Sequence, residues 1–237
     1  MLTVLNPNRP DQSFPSTDKA LKEPDGLLAV GGCLSPQRII NAYSQGIFPW
    51  FNPESPILWW SPDPRLVLFP EKLQLSRSLK KTLRQGKFQV TFDTAFPQVI
   101  AACATSRKDQ AGTWINQDMQ SAYIKLHQQG YAHSVETWFT DQLVGGLYGI
   151  ALGKIFYGES MFHKKTDASK VAFASLVETL TEWGFKLIDC QVRTDHLMSL
   201  GAEEITRDEF NTLLAQYCSA PGGNISLWKK TPVKGPA

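Results

Sequence analysis

The chain has 237 residues, of which 42% are hydrophobic and 19% charged, and its formal net charge at pH 7 is +2. These values are typical of a water-soluble globular protein that buries a substantial core in one large domain or two smaller ones. The first residues lack a basic region followed by an apolar run, and no stretch approaches the roughly 18 apolar residues of a membrane span. We therefore expect a cytoplasmic protein that does not enter membranes.

Five helices are predicted from local signals that begin or end a helix. Ser35 and Ser76 are predicted N-caps, and in four of the helices a glycine follows or ends the last turn. The last helix carries a capping box, in which Thr206 is followed three residues on by Glu209. The predicted helices are Ser35 to Gln45, Ser76 to Gln85, about Asn116 to Gln129, Asp167 to Gly184, and one that starts at Thr206.

Alternating apolar and polar residues predict the strands of a sheet. The runs HSVETWF and LVGGLYGIAL flank Thr140-Asp141-Gln142 as a hairpin, FQVTF is a further strand, and FKLIDCQV follows the fourth helix. In that last run, a period of two puts Asp189 and Gln191 on one face and Ile188 and Cys190 on the other. Glu159 stands in a predicted turn, Gly158-Glu159-Ser160.

Prolines and basic residues are concentrated in two neighbouring segments. The run IFPWFNPESPILWWSPDPR, here called the aromatic segment, carries five prolines and is predicted to be irregular but stiff. From Arg65 to Phe88 the chain has seven basic residues and one acid. Four of the cations share one stripe of the second predicted helix: Arg77, Lys80, Lys81 and Arg84.

Nine blocks in order resemble the signature of the leucyl/phenylalanyl-tRNA–protein transferase family. They are PDGLLAVGG, AYSQGIFPWF, ILWWSPDPR, AHSVETW, LVGGLYGIALG, FYGESMF, ASK, LIDCQV and SLGAEEI. The resemblance implies an α/β (α+β) fold, with a small N-terminal domain and a C-terminal domain similar to the GNAT acyltransferases. With the patterns above, it gives predicted domains at 1–65 and 66–220 and a loose tail at 221–237.

The resemblance also implies an activity and its site. The family moves Leu, Phe and Met from aminoacyl-tRNA to proteins that begin with Lys or Arg, marks them for N-end rule degradation, and uses no metal or organic cofactor. Positions matching Asp189, Gln191 and Glu159 are assigned to the catalytic site. The residue types suit that chemistry, because an aminoacyl ester is already activated and needs an oriented amine, a proton acceptor and oxyanion stabilisation rather than a covalent nucleophile.

Three further groups of residues are predicted to bind parts of the donor. Apolar residues that match the family's side-chain pocket are Leu147, Phe156, Met161, Leu176 and Ile188. Trp50 and Trp114 are candidates for stacking on the 3′-terminal adenosine, because aromatic faces bind unpaired bases. The cationic stripe suits the phosphates of an acceptor stem, since it contains no acids.

Each of these residues also has a purely structural interpretation. Asp189 could be a buried hydrogen-bonding residue, Glu159 could cap a turn, the apolar residues and tryptophans could be core, and the stripe could be solvated surface. Two other functions are compatible with the patterns, an acyl-CoA-dependent N-acetyltransferase and a non-catalytic RNA-binding module. The first lacks the glycines of a pyrophosphate-binding turn in HKKTDAS, and the second leaves Asp189 and Gln191 unexplained.

Overall fold

A computed structural model describes residues 2–106, 114–218 and 228, which form two sheets packed with helices. The first sheet, in the order β1-β2-β4-β3, lies in the N-terminal part of the chain. Its strands and the helix between them are β1 (Thr3–Leu5), β2 (Leu27–Gly31), α1 (Pro36–Tyr43), β3 (Phe48–Pro49) and β4 (Leu58–Trp60). Two of its strands come from the aromatic segment, so the expectation that this whole segment is irregular is wrong.

The second sheet has seven strands in the order β11-β5-β10-β9-β8-β7-β6. Its strands are β5 (Arg65–Leu68), β6 (Gln89–Phe92), β7 (Ala132–Phe139), β8 (Gln142–Leu152), β9 (Ile155–His163), β10 (Leu187–Gln191) and β11 (Glu203–Ile205). The helices that follow α1 are α2 (Arg77–Arg84), α3 (Phe96–Ser106), α4 (Gln117–Gln128), α5 (Ala168–Glu182), α6 (Asp195–Ser199) and α7 (Arg207–Tyr217). This arrangement confirms the mixed α/β fold class.

Local signals predicted the capped helices and the hairpin correctly. The side chains of Ser35, Ser76, Asn116 and Thr206 accept hydrogen bonds from backbone N–H groups in the first turns of α1, α2, α4 and α7. In the β7–β8 hairpin Thr140 and Asp141 have φ values of 48° and 59°, as a two-residue turn requires. Each of these features depends on a few consecutive residues, which is why the sequence reveals them.

Helix α3 was not predicted, and its N-terminus depends on a distant residue. The buried carboxylate of Glu136, on β7, accepts hydrogen bonds from the backbone N–H groups of Thr94 and Ala95, which precede α3. It also accepts from the hydroxyls of Thr91 and Ser134. The capping group therefore comes from a strand some forty residues away, where no local pattern could point to it.

The large sheet separates two hydrophobic cores. One face packs against α1, α3 and α4 and joins the small sheet, while the other face packs against α2 and α5. The predicted division after residue 65 stays a prediction, and most of the predicted tail at 221–237 lies outside the described residues. No helix among the described residues combines the length and apolarity needed to cross a bilayer.

Candidate active site

The candidate site lies where two parallel strands of the large sheet part. Strands β9 and β10 are joined through α5 and pair from Ile155↔Leu187 to Tyr157↔Asp189. Beyond that point β9 continues to His163, whereas β10 ends at Gln191. Ligand sites of open sheets commonly form at such carboxyl ends of parallel strands.

A cavity of about 340 Å³ opens at this divergence, between β8, β9, α5, β10 and α6. Its walls include all five apolar residues predicted for the side-chain pocket, Leu147, Phe156, Met161, Leu176 and Ile188. Glu159 and Gln191 line the same cavity and are among its polar residues. A mostly apolar cavity with a few convergent polar groups is the usual form of a small-molecule site.

Glu159 lies within strand β9, so the prediction that it stands in a turn is wrong. Its carboxylate accepts hydrogen bonds from the hydroxyls of Tyr43 on α1, at 2.5 Å, and Tyr123 on α4, at 3.0 Å. Burial raises the pKa of Glu159 from 4.5 to about 7, although the two tyrosine hydrogen bonds act in the opposite direction. Glu159 can therefore exchange a proton near neutral pH.

The two tyrosines are buried donors that fix this carboxylate. Burial, assisted by the nearby negative charge of Glu159, raises the pKa of both Tyr43 and Tyr123 well above 10. Both phenols are consequently neutral at physiological pH. The sequence patterns placed Tyr123 on a buried helix face but gave neither tyrosine a role in the site. They lie 116 and 36 residues from Glu159, and only the packing of α1 and α4 brings them together.

Asp189 is held by an arginine inside the sheet. Its side chain is 0% exposed, and Arg65 Nε and Nη2 donate to its two carboxylate oxygens at 2.8 and 2.7 Å. Arg65 Nη1 donates to the carbonyl oxygen of Gly46, and its guanidinium lies over the rings of Phe48 and Phe210. A bidentate pair of this kind fixes the position of both side chains.

Gln191 does not share a face with Asp189, so that geometric prediction is wrong. A β-bulge interrupts the pairing of β10 with β5 between these residues, and Gln191 has a φ of 58°. Ile188, Cys190 and Gln191 line the cavity, whereas Asp189 does not. The backbone N–H of Gln191 donates to Asp189 Oδ1 at 2.9 Å, so Asp189 stabilises the bulge that turns Gln191 towards the cavity.

The other predicted donor-binding residues lie away from this cavity. Trp50 follows β3 with 48% of its surface exposed, and Trp114 packs partly buried against the first core. The four cations of α2 are exposed. One cavity residue that we had not assigned to the site is His196 of α6, whose pKa is lowered by burial, with a smaller contribution from Lys170. No set of three or more metal-binding side chains occurs in the described part of the chain.

Comparison with known proteins identifies the family of the chain. The family model described as leucyl/phenylalanyl-tRNA protein transferase matches residues 67–215, and the model of its N-terminal domain matches residues 32–63. A leucyl/phenylalanyl-tRNA–protein transferase of Methylococcus capsulatus is 58% identical over 98% of both chains. One of Nitrosomonas europaea is 58% identical over 90% of this chain and 91% of the relative.

Two of the solved structures that match part of this chain have low sequence identity and low TM-scores. An aminoglycoside acetyltransferase from a soil metagenome has a TM-score of 0.37 at 15% identity and covers 47% of this chain and 83% of its own. A GCN5-related N-acetyltransferase from Kribbella flavida has a TM-score of 0.36 at 12% identity, covering 68% and 57%.

The protein is an aminoacyltransferase, with a catalytic domain preceded by a smaller N-terminal domain in the family models. The chain belongs to the leucyl/phenylalanyl-tRNA–protein transferase family.

Proposed function

We propose that this enzyme moves leucyl, phenylalanyl or methionyl groups from aminoacyl-tRNA to the N-terminal Lys or Arg of acceptor proteins in the cytoplasm, marking them for N-end rule degradation. The observation that carries the proposal is the cavity at the β9–β10 divergence. It combines a mostly apolar interior of about 340 Å³ with polar groups that include Glu159 and Gln191. The names of the 58% identical relatives support the donor and the acceptor class.

The donor side chain would occupy the apolar interior of the cavity. Phe156, Leu176 and Ile188 are at most 1% exposed and form rigid walls, whereas Met161 is a flexible thioether that can adapt to branched or flat groups. Burial raises the pKa of the Cys190 thiol far above its ordinary value, so this wall residue remains neutral. Neutral, mostly apolar walls around the donor side chain favour Leu, Phe and Met over charged side chains.

The transfer needs an amine, an ester carbonyl and a proton acceptor in close proximity. In the proposed reaction the acceptor amine attacks the carbonyl carbon, a C–N bond forms, and the ester C–O bond breaks to release the 3′ oxygen of the tRNA. Gln191 would orient the amine or the carbonyl by hydrogen bonding. Glu159, with a pKa of about 7, would bind an amino group as a carboxylate and could accept its proton.

Asp189 has a different part in this proposal, that of a positioning residue. Both of its oxygens accept hydrogen bonds from Arg65, and one also accepts the Gln191 backbone N–H. Its side chain is buried away from the cavity, so it would act on the reaction through Gln191. In this proposal Asp189 fixes the backbone of Gln191 and so sets the direction of its side chain for the transfer.

The body of the tRNA would be held outside the cavity. The proposal keeps Trp50 and Trp114 as stacking residues for the terminal adenosine, and the exposed ring of Trp50 supports that role. The stripe Arg77, Lys80, Lys81 and Arg84 would contact phosphates, since all four side chains are exposed on one short helix.

The direct test is transfer of labelled leucine from leucyl-tRNA to a peptide that begins with Arg. A peptide identical except for an N-terminal Ala serves as the acceptor control, and acetyl-CoA replaces leucyl-tRNA in a second control. Labelled product with the Arg peptide alone, dependent on intact leucyl-tRNA, supports the proposal. Equal transfer to both peptides would reject the acceptor assignment, and acetyl transfer in place of leucyl transfer would reject the donor assignment.

A further inference from the structure

Trp228 follows α7 in the chain, and its buried side chain belongs to the second core. Its indole is 2% exposed and stacks on the His133 imidazole, with ring centroids 3.9 Å apart and an interplanar angle of 7°. It meets Trp183 edge-on at 5.0 Å and lies 6.0 Å from the ring of Phe156 and 6.2 Å from that of Phe92. One residue thus contacts rings from β6, β7, β9 and the end of α5.

Phe156 connects this cluster to the cavity. Its ring is 1% exposed, lines the cavity and lies directly over Gly149 of β8. The approach is so close that a Cβ atom on Gly149 would be 2.5 Å from Phe156 Cζ. The ring is therefore confined by the backbone of β8 at one position and by Trp228 at another.

We propose that Trp228 is a positioning residue for side-chain selection, because it holds Phe156 as a wall of the donor cavity. The inference rests on the proposed function, in which this cavity receives the donor side chain. Among the described residues, the ring contacts of the Trp228 indole are the four given above. His133, which pairs with Asp93 at 2.7 Å, supplies a fixed surface for that packing.

Removal of the Trp228 indole is expected to deepen the donor cavity. Truncating a large buried side chain leaves space that neighbouring groups fill in part. Phe156 borders the space that the indole leaves. Movement of the Phe156 ring into this space deepens the donor cavity. A deeper cavity favours the longer phenylalanyl side chain over leucyl.

The test compares transfer of phenylalanyl and leucyl groups by full-length Trp228→Ala, Trp228→Leu and Trp228→Phe variants. The readout is the ratio of kcat/KM for the two charged tRNAs. A loss of folded enzyme lowers both values equally, so the ratio responds only to a change in selection. We expect the ratio to rise about 5-fold in Trp228→Ala and less in Trp228→Leu, and to stay within about 2-fold of wild type in Trp228→Phe.

Two further variants separate the possible failures. Trp59→Phe alters an equally buried tryptophan in the first core, away from the cavity, and is expected to leave the ratio unchanged. Phe156→Leu changes the cavity wall itself.

If Phe156→Leu shifts the ratio while Trp228→Ala and Trp228→Leu do not, the role of Trp228 is overturned and the cavity assignment stands. If none of the three shifts it, both proposals are overturned. Trp228→Leu keeps an apolar side chain and carries the test if Trp228→Ala does not fold.

Discussion

The carboxylate of Asp189 is clamped by the guanidinium of Arg65, which donates to both of its oxygens inside the large sheet. Both side chains are essentially inaccessible to solvent. Burial of two charges is tolerable only when they pair closely and their remaining hydrogen-bonding groups are satisfied, and Gly46 and Gln191 complete that requirement. The pair therefore couples the small N-terminal region to the bulge that carries Gln191.

Breaking this pair is expected to reduce stability and turnover separately. Arg65→Met or Asp189→Asn leaves one buried group without its partner and should lower the free energy of unfolding by about 3–5 kcal/mol. The double variant Arg65→Met/Asp189→Leu should recover much of that stability but not the turnover. Urea unfolding and single-turnover transfer measure the two effects.

The exposed pair Lys72–Glu203 is the control, and Lys72→Ala should lower the free energy of unfolding by less than about 1 kcal/mol. Equal, small losses for both pairs would contradict the assignment.

Gln191 offers a substitution that removes the amide without straining the backbone. Its φ of 58° suits glycine better than other residues, so Gln191→Gly should stabilise the fold by about 1 kcal/mol. Turnover should nevertheless fall about 10²-fold, because the orienting amide is lost. Gln191→Ala should lose similar turnover without the gain in stability, and the affinity for charged tRNA should barely change in either. Turnover near the wild-type value in Gln191→Gly would remove the amide from the mechanism.

The raised pKa of Glu159 predicts a specific dependence of stability on pH. Between pH 4.5 and about 7 the folded protein retains a proton that the unfolded chain releases. The stabilisation associated with this proton is fully present below about pH 4.5 and is lost as the pH rises to about 7. The stability of wild type relative to Glu159→Gln should therefore fall across this window, as measured by urea unfolding at a series of pH values.

Tyr43→Phe provides a matched control for that experiment. It removes a hydrogen bond that lowers the pKa of Glu159, so the upper end of the window should move above pH 7. A difference between wild type and Glu159→Gln that is independent of pH would show that Glu159 does not titrate in this range.

The cations of α2 are expected to control tRNA affinity through charge. Lys80→Glu/Lys81→Glu should raise the KM for charged tRNA and reduce the salt dependence of binding by about 1–2 in log–log slope, as two phosphate contacts would require. Lys19→Glu/Lys22→Glu makes the same charge change at exposed positions outside α2. A similar KM for both double variants would assign the effect to net charge rather than to the stripe.

The shape of the cavity predicts discrimination by branching at Cβ. Leu, Phe and Met should transfer well, whereas Ile and Val should be poorer by about 10-fold or more, because a second Cβ substituent meets the walls near Phe156 and Met161. Competition between charged tRNAs in one reaction gives the relative kcat/KM values. Equal transfer of Ile and Leu would contradict the assignment of this cavity to the donor side chain.

Features that depend on neighbouring residues were predictable from the sequence alone. The caps at Ser35, Ser76 and Thr206 and the hairpin at Thr140-Asp141 are local, because each turn or first helical turn is satisfied within a few residues. The nine signature blocks also indicated the family, which the comparisons confirm. Of the residues named for the site, seven line one cavity: the five apolar residues, Glu159 and Gln191.

The contacts that hold those residues in place are long-range and follow from the folded structure. Arg65 and Asp189 are 124 residues apart, and Tyr43 and Glu159 are 116 apart, so no periodicity relates the members of either contact. The bulge at Gln191 breaks the alternation from which a shared face with Asp189 was predicted, because Asp189 accepts the N–H that a regular strand would give to its neighbour. Trp228 contacts rings on β6, β7 and β9 that are far from it in the sequence. Long-range packing places each of these groups, and its energy comes from burial rather than from local sequence.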